Sequence, residues 1–135
     1  MRIAGLRAGF AIAALLLTAG LLAACDRYAG DIEAVQKARS LGDLDNATLC
    51  KDLAGARGRF EWRAGRSETY ADNPDIVVVT CLVTRTTSAG AKRELQLDYV
   101  HNRQTDKVAL DRVLIDGKPQ TIIGGMLNLL LMQLE

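Results

Sequence analysis

The residue types that most often do chemistry are sparse in this chain of 135 residues. His101 is the single histidine, and it stands beside Asn102 and Arg103, where we predict a strand to end. A catalytic histidine needs a nucleophile that it can activate. No serine motif of the G-x-S-x-G type and no comparable cysteine motif is present. We therefore expect His101 to lie in a surface loop without a catalytic role.

The acidic residues do not suggest an acid–base or metal site either. Two close pairs occur, Asp43 with Asp45 and Asp72 with Asp75, in turn-like stretches. Aspartate is common in turns and caps because its side chain bonds nearby backbone N–H groups. A zinc-type site would need clustered histidine or cysteine ligands, which the sequence does not provide. We predict that the protein is not an enzyme and has no catalytic residues, no metal and no cofactor.

The first cysteine follows a segment with its own composition. Residues 1–24 contain Arg2 and Arg7 but no acidic residue, and an apolar run extends to Ala24. At about 17 residues, that run is at the short end of the length that spans a bilayer. Small residues at its end are what a signal peptidase needs. The pattern predicts an export signal.

The sequence Leu22-Ala23-Ala24-Cys25 resembles the lipobox of bacterial lipoprotein precursors. In that family the cysteine thiol receives a diacylglyceryl group, the signal is cut just before the cysteine, and the new amine is usually acylated. The resemblance implies a signal peptide at residues 1–24 and a mature chain that begins with Cys25, carrying acyl chains such as palmitate. Several acyl chains hold a protein firmly in a membrane, whereas a single acyl chain binds reversibly. The alternatives are an ordinary secretory signal and an uncleaved anchor.

The residues after Cys25 bear on where the anchor would place the protein. In enteric bacteria, an aspartate in the position of Asp26 resembles the signal that retains a lipoprotein in the inner membrane. We therefore favour the periplasmic face of the inner membrane, with the outer membrane as the alternative. Residues 25–30 form a tether that reaches at most about 20 Å. The single domain expected at residues 31–135 would then lie close to the bilayer.

Cys50 and Cys81 remain as an even pair in a chain predicted to be exported. The periplasm is oxidising, which favours a structural disulfide between them. No C-x-x-C redox motif occurs. Closing a loop of about 32 residues would stabilise the fold by roughly 3.5 kcal/mol in the chain-entropy estimate.

Four arginines lie within ten residues: Arg57, Arg59, Arg63 and Arg66. They indicate either a solvent-exposed face or contact with anionic lipid headgroups. Such contact would contribute about 1 kcal/mol of binding free energy for each basic residue near the membrane. The chain as a whole has a formal net charge of +1, and without Arg2 and Arg7 the remainder is close to neutral. We therefore expect no nucleic-acid partner, since such a protein concentrates positive charge on one face.

The apolar pattern predicts which elements position these residues. Helical spacing favours a helix over residues 31–41, capped by Asp31, and a second over residues 47–57, capped by Asp45 or Asn46, with Cys50 on its apolar side. Alternation with period two then predicts four strands, at residues 59–66, 75–87, 91–102 and 107–117. Short turns between them indicate an antiparallel meander. The alternation slips near Asp111, which predicts a bulge there.

The final segment, QTIIGGMLNLLLMQLE, is predicted to be an apolar helix with Pro119 in its first turn. It is too short to span a bilayer, so it must pack against something. Its candidate surface for a partner, a second copy or an apolar ligand comprises Met126, Leu127, Leu130 and Leu131. The class is then α+β, loosely similar to cystatin-like or cone-shaped folds in element order, which by itself carries no function.

The expected function follows from the anchor and from the lack of catalytic motifs. We predict a non-enzymatic, membrane-anchored lipoprotein of the periplasm that binds another protein or acts as an accessory module of the cell envelope. Its partner would be an unidentified envelope protein or a second copy of itself. The alternative is a carrier or sensor of a small apolar ligand held between the sheet and the last helix.

Overall fold

The computed structural model describes residues 27–121 together with Gly124, Gly125 and Asn128. From Asp31 onward the chain belongs to one compact unit, Asp31–Glu135, distinct from Met1–Gly30. Its elements are α1 (Ala29–Lys37), α2 (Asn46–Ala54), β1 (Arg59–Arg66), β2 (Ile76–Thr86), β3 (Lys92–Asn102), β4 (Lys107–Ile115) and β5 (Lys118–Gln120). The α+β class is confirmed, with five strands among the described residues where four were predicted.

All five strands form one antiparallel sheet in chain order, β1-β2-β3-β4-β5. The register between β3 and β4 shifts between Asp98 and Tyr99, which leaves Asp111 as the extra residue of β4. The predicted bulge is therefore confirmed. A bulge restores the inward direction of the apolar residues on either side of it, which is why the sequence pattern slips there.

The fifth strand corrects the prediction for Pro119. This residue was expected in the first turn of a helix, but it is the middle residue of β5 and pairs with Leu114. Asp116 and Gly117 have φ angles of 52° and 79°. Two consecutive positive φ angles are typical of a two-residue hairpin turn, which folds the chain back onto β4. Proline is tolerated in an edge strand because its missing N–H is not needed there.

The helix predicted over residues 120–135 falls mainly outside the described residues. Gly124, Gly125 and Asn128 are described and have helical backbone. A Cβ at Gly125 would lie 3.0 Å from the Cβ of Val113, so this part of the chain packs closely on β4. The four candidate surface residues lie outside the described residues: Met126, Leu127, Leu130 and Leu131.

Both described helices differ slightly from the predicted bounds. Helix α1 begins at Ala29, so Asp31 lies inside it and does not cap it. Helix α2 begins as predicted, because the Asp45 side chain accepts a hydrogen bond from the Thr48 N–H at 2.7 Å. It ends early because Gly55 adopts a φ of 68°, which terminates the helix. Neither of these helices is long and apolar enough to cross a membrane.

The core lies on one face of the sheet, which we call the helix-bearing face. Its buried strand residues are Val77, Val79, Cys81, Val83, Leu95, Leu97, Tyr99, Val113 and Ile115. The predicted disulfide is confirmed, since Cys50 of α2 is bonded to Cys81 with their Cα atoms 6.3 Å apart. Asn46 joins the two helices, because its buried side chain donates to the Val35 carbonyl at 2.8 Å.

Candidate functional site

His101 is buried, and the expectation of a surface loop was wrong. It lies on β3 with 6% of its surface exposed. Its Nδ1 is 2.8 Å from Oδ1 of Asp31, and its Nε2 is 2.8 Å from Oδ1 of Asp106. The alternation of β3 carries the signal that was missed. Leu97, Tyr99 and His101 are two positions apart and therefore point to the same face.

Asp31 connects helix α1 to the end of β3. Its carboxylate, 3% exposed, also accepts hydrogen bonds from Arg103, with Nε 3.0 Å from Oδ1 and Nη2 2.6 Å from Oδ2. Asp106 closes the cluster from the β3–β4 turn, where it adopts a φ of 57° that aspartate tolerates better than most residues. We call these four residues the clasp: Asp31, His101, Arg103 and Asp106. The clasp ties the start of the compact unit to the β3–β4 hairpin.

The clasp favours a charged histidine. Burial disfavours the imidazolium, but hydrogen bonds and charge from Asp106 and Asp31 outweigh it, so the pKa of His101 lies above its ordinary value of 6.5. Burial also opposes ionisation of Asp31, but hydrogen bonds from Arg103 and His101 leave the pKa of Asp31 below 3.8. Only the imidazolium can donate to both carboxylates at once. Both ring nitrogens are thus occupied, and neither is open to a substrate's proton.

The opposite face of the sheet is covered by neither described helix. Helix α2 is fixed to the helix-bearing face by the bond from Cys50 to Cys81, and α1 contacts the same face through Asp31 and His101. The other face nevertheless carries five half-buried apolar residues of β2, β3 and β4: Ile76, Val78, Leu82, Val100 and Leu114. We call this side of the sheet the uncovered face.

A polar network occupies the centre of the uncovered face. Asp98, 4% exposed, accepts hydrogen bonds from Thr80 Oγ1 at 2.7 Å and from Gln96 Nε2 at 3.0 Å. It also accepts one from Arg112 Nη2 at 2.9 Å. The Arg112 side chain is 53% exposed and lies over the carboxylate. Charge-assisted hydrogen bonds of this kind are short and strong, so the network holds three strands in a fixed arrangement.

The four arginines predicted to contact lipid headgroups do not share one surface. Arg59 and Arg63 alternate with Glu61 on the uncovered side of β1, Arg66 points to the other side, and Arg57 precedes the strand. Arg63 forms an ion pair with Glu61 at 2.6 Å. From Arg59 to Arg66 the strand extends about 23 Å. The headgroup contact stays a prediction, and a single flat membrane would meet only part of this set.

Tyr99 has a buried polar atom that no described residue hydrogen-bonds. The residue is fully buried, its ring centre is 6.2 Å from that of Trp62, and its hydroxyl has no hydrogen-bond partner among the described residues. Burial raises the pKa of Tyr99, since the phenolate is poorly solvated there. A buried hydroxyl normally bonds to protein, water or a ligand, so this position needs an explanation.

Comparison with known proteins gives this chain no family. No protein-family model matches it. No curated protein matches its sequence with significance. No solved structure matches its fold with significance. Among the described residues, no group of three or more His, Cys, Asp or Glu is arranged to hold a metal ion.

Two sequence-predicted positions remain untested because they precede the described residues. Cys25, the proposed lipidation site, and Asp26, the proposed sorting residue, both lie outside the described part of the chain. The lipobox resemblance therefore stays a prediction.

Proposed function

We propose that this protein is a non-enzymatic, lipid-anchored lipoprotein of the bacterial cell envelope that binds a partner protein through its uncovered face. One observation carries the binding part of the proposal. Both described helices pack on one side of the sheet, while the other side presents half-buried apolar residues around the Asp98 network. An apolar surface that none of the described helices covers is typical of an interaction site.

The composition of the uncovered face suits a protein partner. Burial of the apolar residues against a partner removes them from water, which favours binding. Arg112 lies at the centre with part of its side chain open to solvent, and arginine is enriched among the residues that dominate binding energy. Because Asp98 already fixes the guanidinium, less side-chain entropy is lost when a partner binds.

The clasp supports the non-enzymatic part of the proposal. A histidine that acts as a general base must reach the proton that it removes. In His101 each ring nitrogen is within 2.8 Å of an aspartate oxygen. The arrangement holds α1 to the β3–β4 hairpin and stabilises the imidazolium, which is a structural role.

The lipobox supports the anchored part. Acylation at Cys25 would attach the chain six residues before Asp31, so the compact unit would stay near the bilayer. We favour the periplasmic face of the inner membrane because of Asp26, with the outer membrane as the alternative. In either membrane, the short tether favours a partner that lies in or on the same membrane.

Replacing Cys25 by alanine is expected to abolish lipid attachment. Cells fed an alkyne fatty acid should label the wild-type protein and not Cys25→Ala, and the variant should keep its signal because the lipoprotein peptidase requires the modified cysteine. Cys50→Ala is the matched control, since it also removes one cysteine but should remain labelled. Equal labelling of wild type and Cys25→Ala would contradict the anchor.

Partner binding is tested by charging the uncovered face. We expect Val100→Arg to reduce the amount of co-isolated partner at least about tenfold, since a buried, unpaired charge at an interface is strongly unfavourable. Lys51→Glu changes an exposed residue of α2 on the other side of the sheet and should leave recovery unchanged. The proposal is contradicted if both variants recover as much partner as wild type. Quantitative mass spectrometry of the anchored protein, isolated from membranes in mild detergent, provides the measurement.

The hydroxyl of Tyr99, which has no hydrogen-bond partner among the described residues, favours the second candidate, a carrier or sensor of a small apolar ligand. A ligand with one polar atom could accept or donate that hydrogen bond. Native mass spectrometry of wild type and Tyr99→Phe tests this. A discrete extra mass on wild type that is reduced in Tyr99→Phe supports the carrier, and bare protein in both contradicts it.

A further inference from the structure

Strand β1 forms an open edge of the sheet. It is eight residues long and continuously paired with β2 on its inner side, and no described strand pairs with its outer side. Proteins usually protect such an edge with charged side chains, proline, a bulge or a very short strand, because its free N–H and C=O groups invite pairing. The opposite edge, β5, is three residues long and contains Pro119. β1 has no proline, and Phe60 on it is 44% exposed. Its charged residues include both signs, so they can pair with a second strand of complementary charge as well as protect the edge.

We propose that β1 pairs antiparallel with β1 of a second copy of this chain, about a two-fold axis that lies midway between the two copies of Trp62. This dimer would need neither the lipid anchor nor the partner on the uncovered face, so it stands apart from the proposed function. The axis would run perpendicular to the sheet and make the two sheets continuous.

The symmetry restricts the possible registers. Residues directly opposite each other in antiparallel strands point to the same face. A two-fold axis perpendicular to the sheet places the same face of both copies on one side. One residue must therefore lie directly opposite its own copy, and the axis runs midway between these two residues. Centring on Trp62 or on Arg63 gives the longest ladders, and every other centre within Arg59–Arg66 pairs a shorter part of the strand.

The charges on β1 select between the two longest registers. With the axis at Trp62, Glu61 of each copy lies opposite Arg63 of the other, and Arg59 lies opposite Gly65. The existing ion pair between Glu61 and Arg63, 2.6 Å apart, becomes one side of a square of alternating charges. With the axis at Arg63, that arginine would oppose itself. Like charges directly opposite each other are destabilising, and opposite charges are favourable.

The faces of the dimer agree with the rest of the molecule. The two helix-bearing faces lie on the same side of the joined sheet, and the two uncovered faces lie on the other.

The decisive experiment is a charge exchange between copies. The full chain is isolated in mild detergent, and its association is measured by sedimentation equilibrium. Glu61→Arg and Arg63→Glu are each expected to weaken the dimer about tenfold or more, because each places like charges opposite each other twice. An equimolar mixture of the two single variants should restore the dimer, since every introduced charge then opposes the opposite sign. The double variant Glu61→Arg/Arg63→Glu should dimerise with itself.

The outcomes separate the proposal from its competitors. The side chains of Arg63 and Glu61 are 65% and 54% exposed, so the thermal transitions of the variants should match that of wild type and exclude a folding defect. A wild-type monomer at the highest attainable concentration overturns the proposal. Weakened association in both single variants without restoration in the mixture overturns this register.

Discussion

Replacing Cys50 and Cys81 together by alanine is expected to lower the free energy of unfolding by about 3.5 kcal/mol. The two cysteines are 31 positions apart, and the bond between them restricts the unfolded chain. It also fixes α2 to the helix-bearing face, where both cysteines are almost fully buried. Small domains have total stabilities of only about 5–15 kcal/mol, so the loss is a large fraction.

Urea denaturation measures this loss. The double alanine variant and wild type treated with a thiol reductant should show midpoints displaced by similar amounts, because both lack the same cross-link. Asp45→Ala is a useful comparison, since it removes only the cap of α2 and should cost about 1 kcal/mol. A loss below about 1 kcal/mol in the double alanine variant would contradict a stabilising role for the disulfide.

Replacing Asp31 by alanine is expected to lower the free energy of unfolding by about 3 kcal/mol. The change removes the carboxylate that accepts hydrogen bonds from His101 and Arg103. It leaves a buried ring nitrogen without its partner and releases α1 from β3. The estimate is at the low end for a broken buried pair, because Arg103 is 40% exposed and can turn towards water.

The matched control for Asp31→Ala is Glu33→Ala in the same helix. Glu33 pairs with Lys37 at 2.6 Å, but both side chains are well exposed. Exposed pairs of this kind contribute little. Chemical denaturation of both variants at the same pH makes the comparison, and a similar loss in the two would contradict the clasp.

The clasp also predicts a pH dependence with a defined sign. The folded-state pKa of His101 is raised above 6.5, so its contribution is complete below 6.5 and is lost as pH rises through the folded value. The folded-state pKa of Asp31 is lowered below 3.8, so its contribution is present above 3.8 and is lost as pH falls through the folded value. The clasp therefore stabilises the fold most between pH 3.8 and 6.5.

Unfolding measured across pH in wild type and Asp31→Asn isolates that contribution. The asparagine side chain has nearly the same size but no negative charge. It therefore cannot form ion pairs with the imidazolium of His101 and the guanidinium of Arg103. The difference in stability between the two proteins should be largest between pH 3.8 and 6.5 and should shrink on either side. A difference that stays constant with pH would exclude a role for the ionisation of His101.

The sequence predicted the parts of this fold that depend on local pattern. Alternating residues in β1 to β4 placed the strands, the slip near Asp111 located the bulge, and an even pair of cysteines in a chain predicted to be exported indicated the disulfide. The hairpin to β5 was missed because Asp116-Gly117 was interpreted as the end of a strand. Its two positive φ angles are what turn the chain back, and Pro119 then fits an edge strand as well as it fits a helix start.

The candidate sites were harder to predict from the sequence because they depend on contacts between residues that are distant along the chain. Asp31 and His101 are 70 positions apart, and nothing in the local sequence connects them. Parity along β3 does place His101 with Leu97 and Tyr99 on the inner side, so its burial could have been inferred. Asp98 lies on the opposite face of β3 by the same alternation, but its burial beneath Arg112 requires the packing of three strands.

In-cell photo-crosslinking tests whether the protein binds a membrane-associated partner through its uncovered face. A photoreactive residue is placed at Val100 or Leu82 on the uncovered face, and at Lys51 or Glu33 on the exposed helices as controls. We predict that both uncovered-face positions form an adduct with the same membrane-associated protein, and that neither helix position does. Adducts of equal yield from all four positions, or none from Val100 and Leu82, would contradict the proposed function.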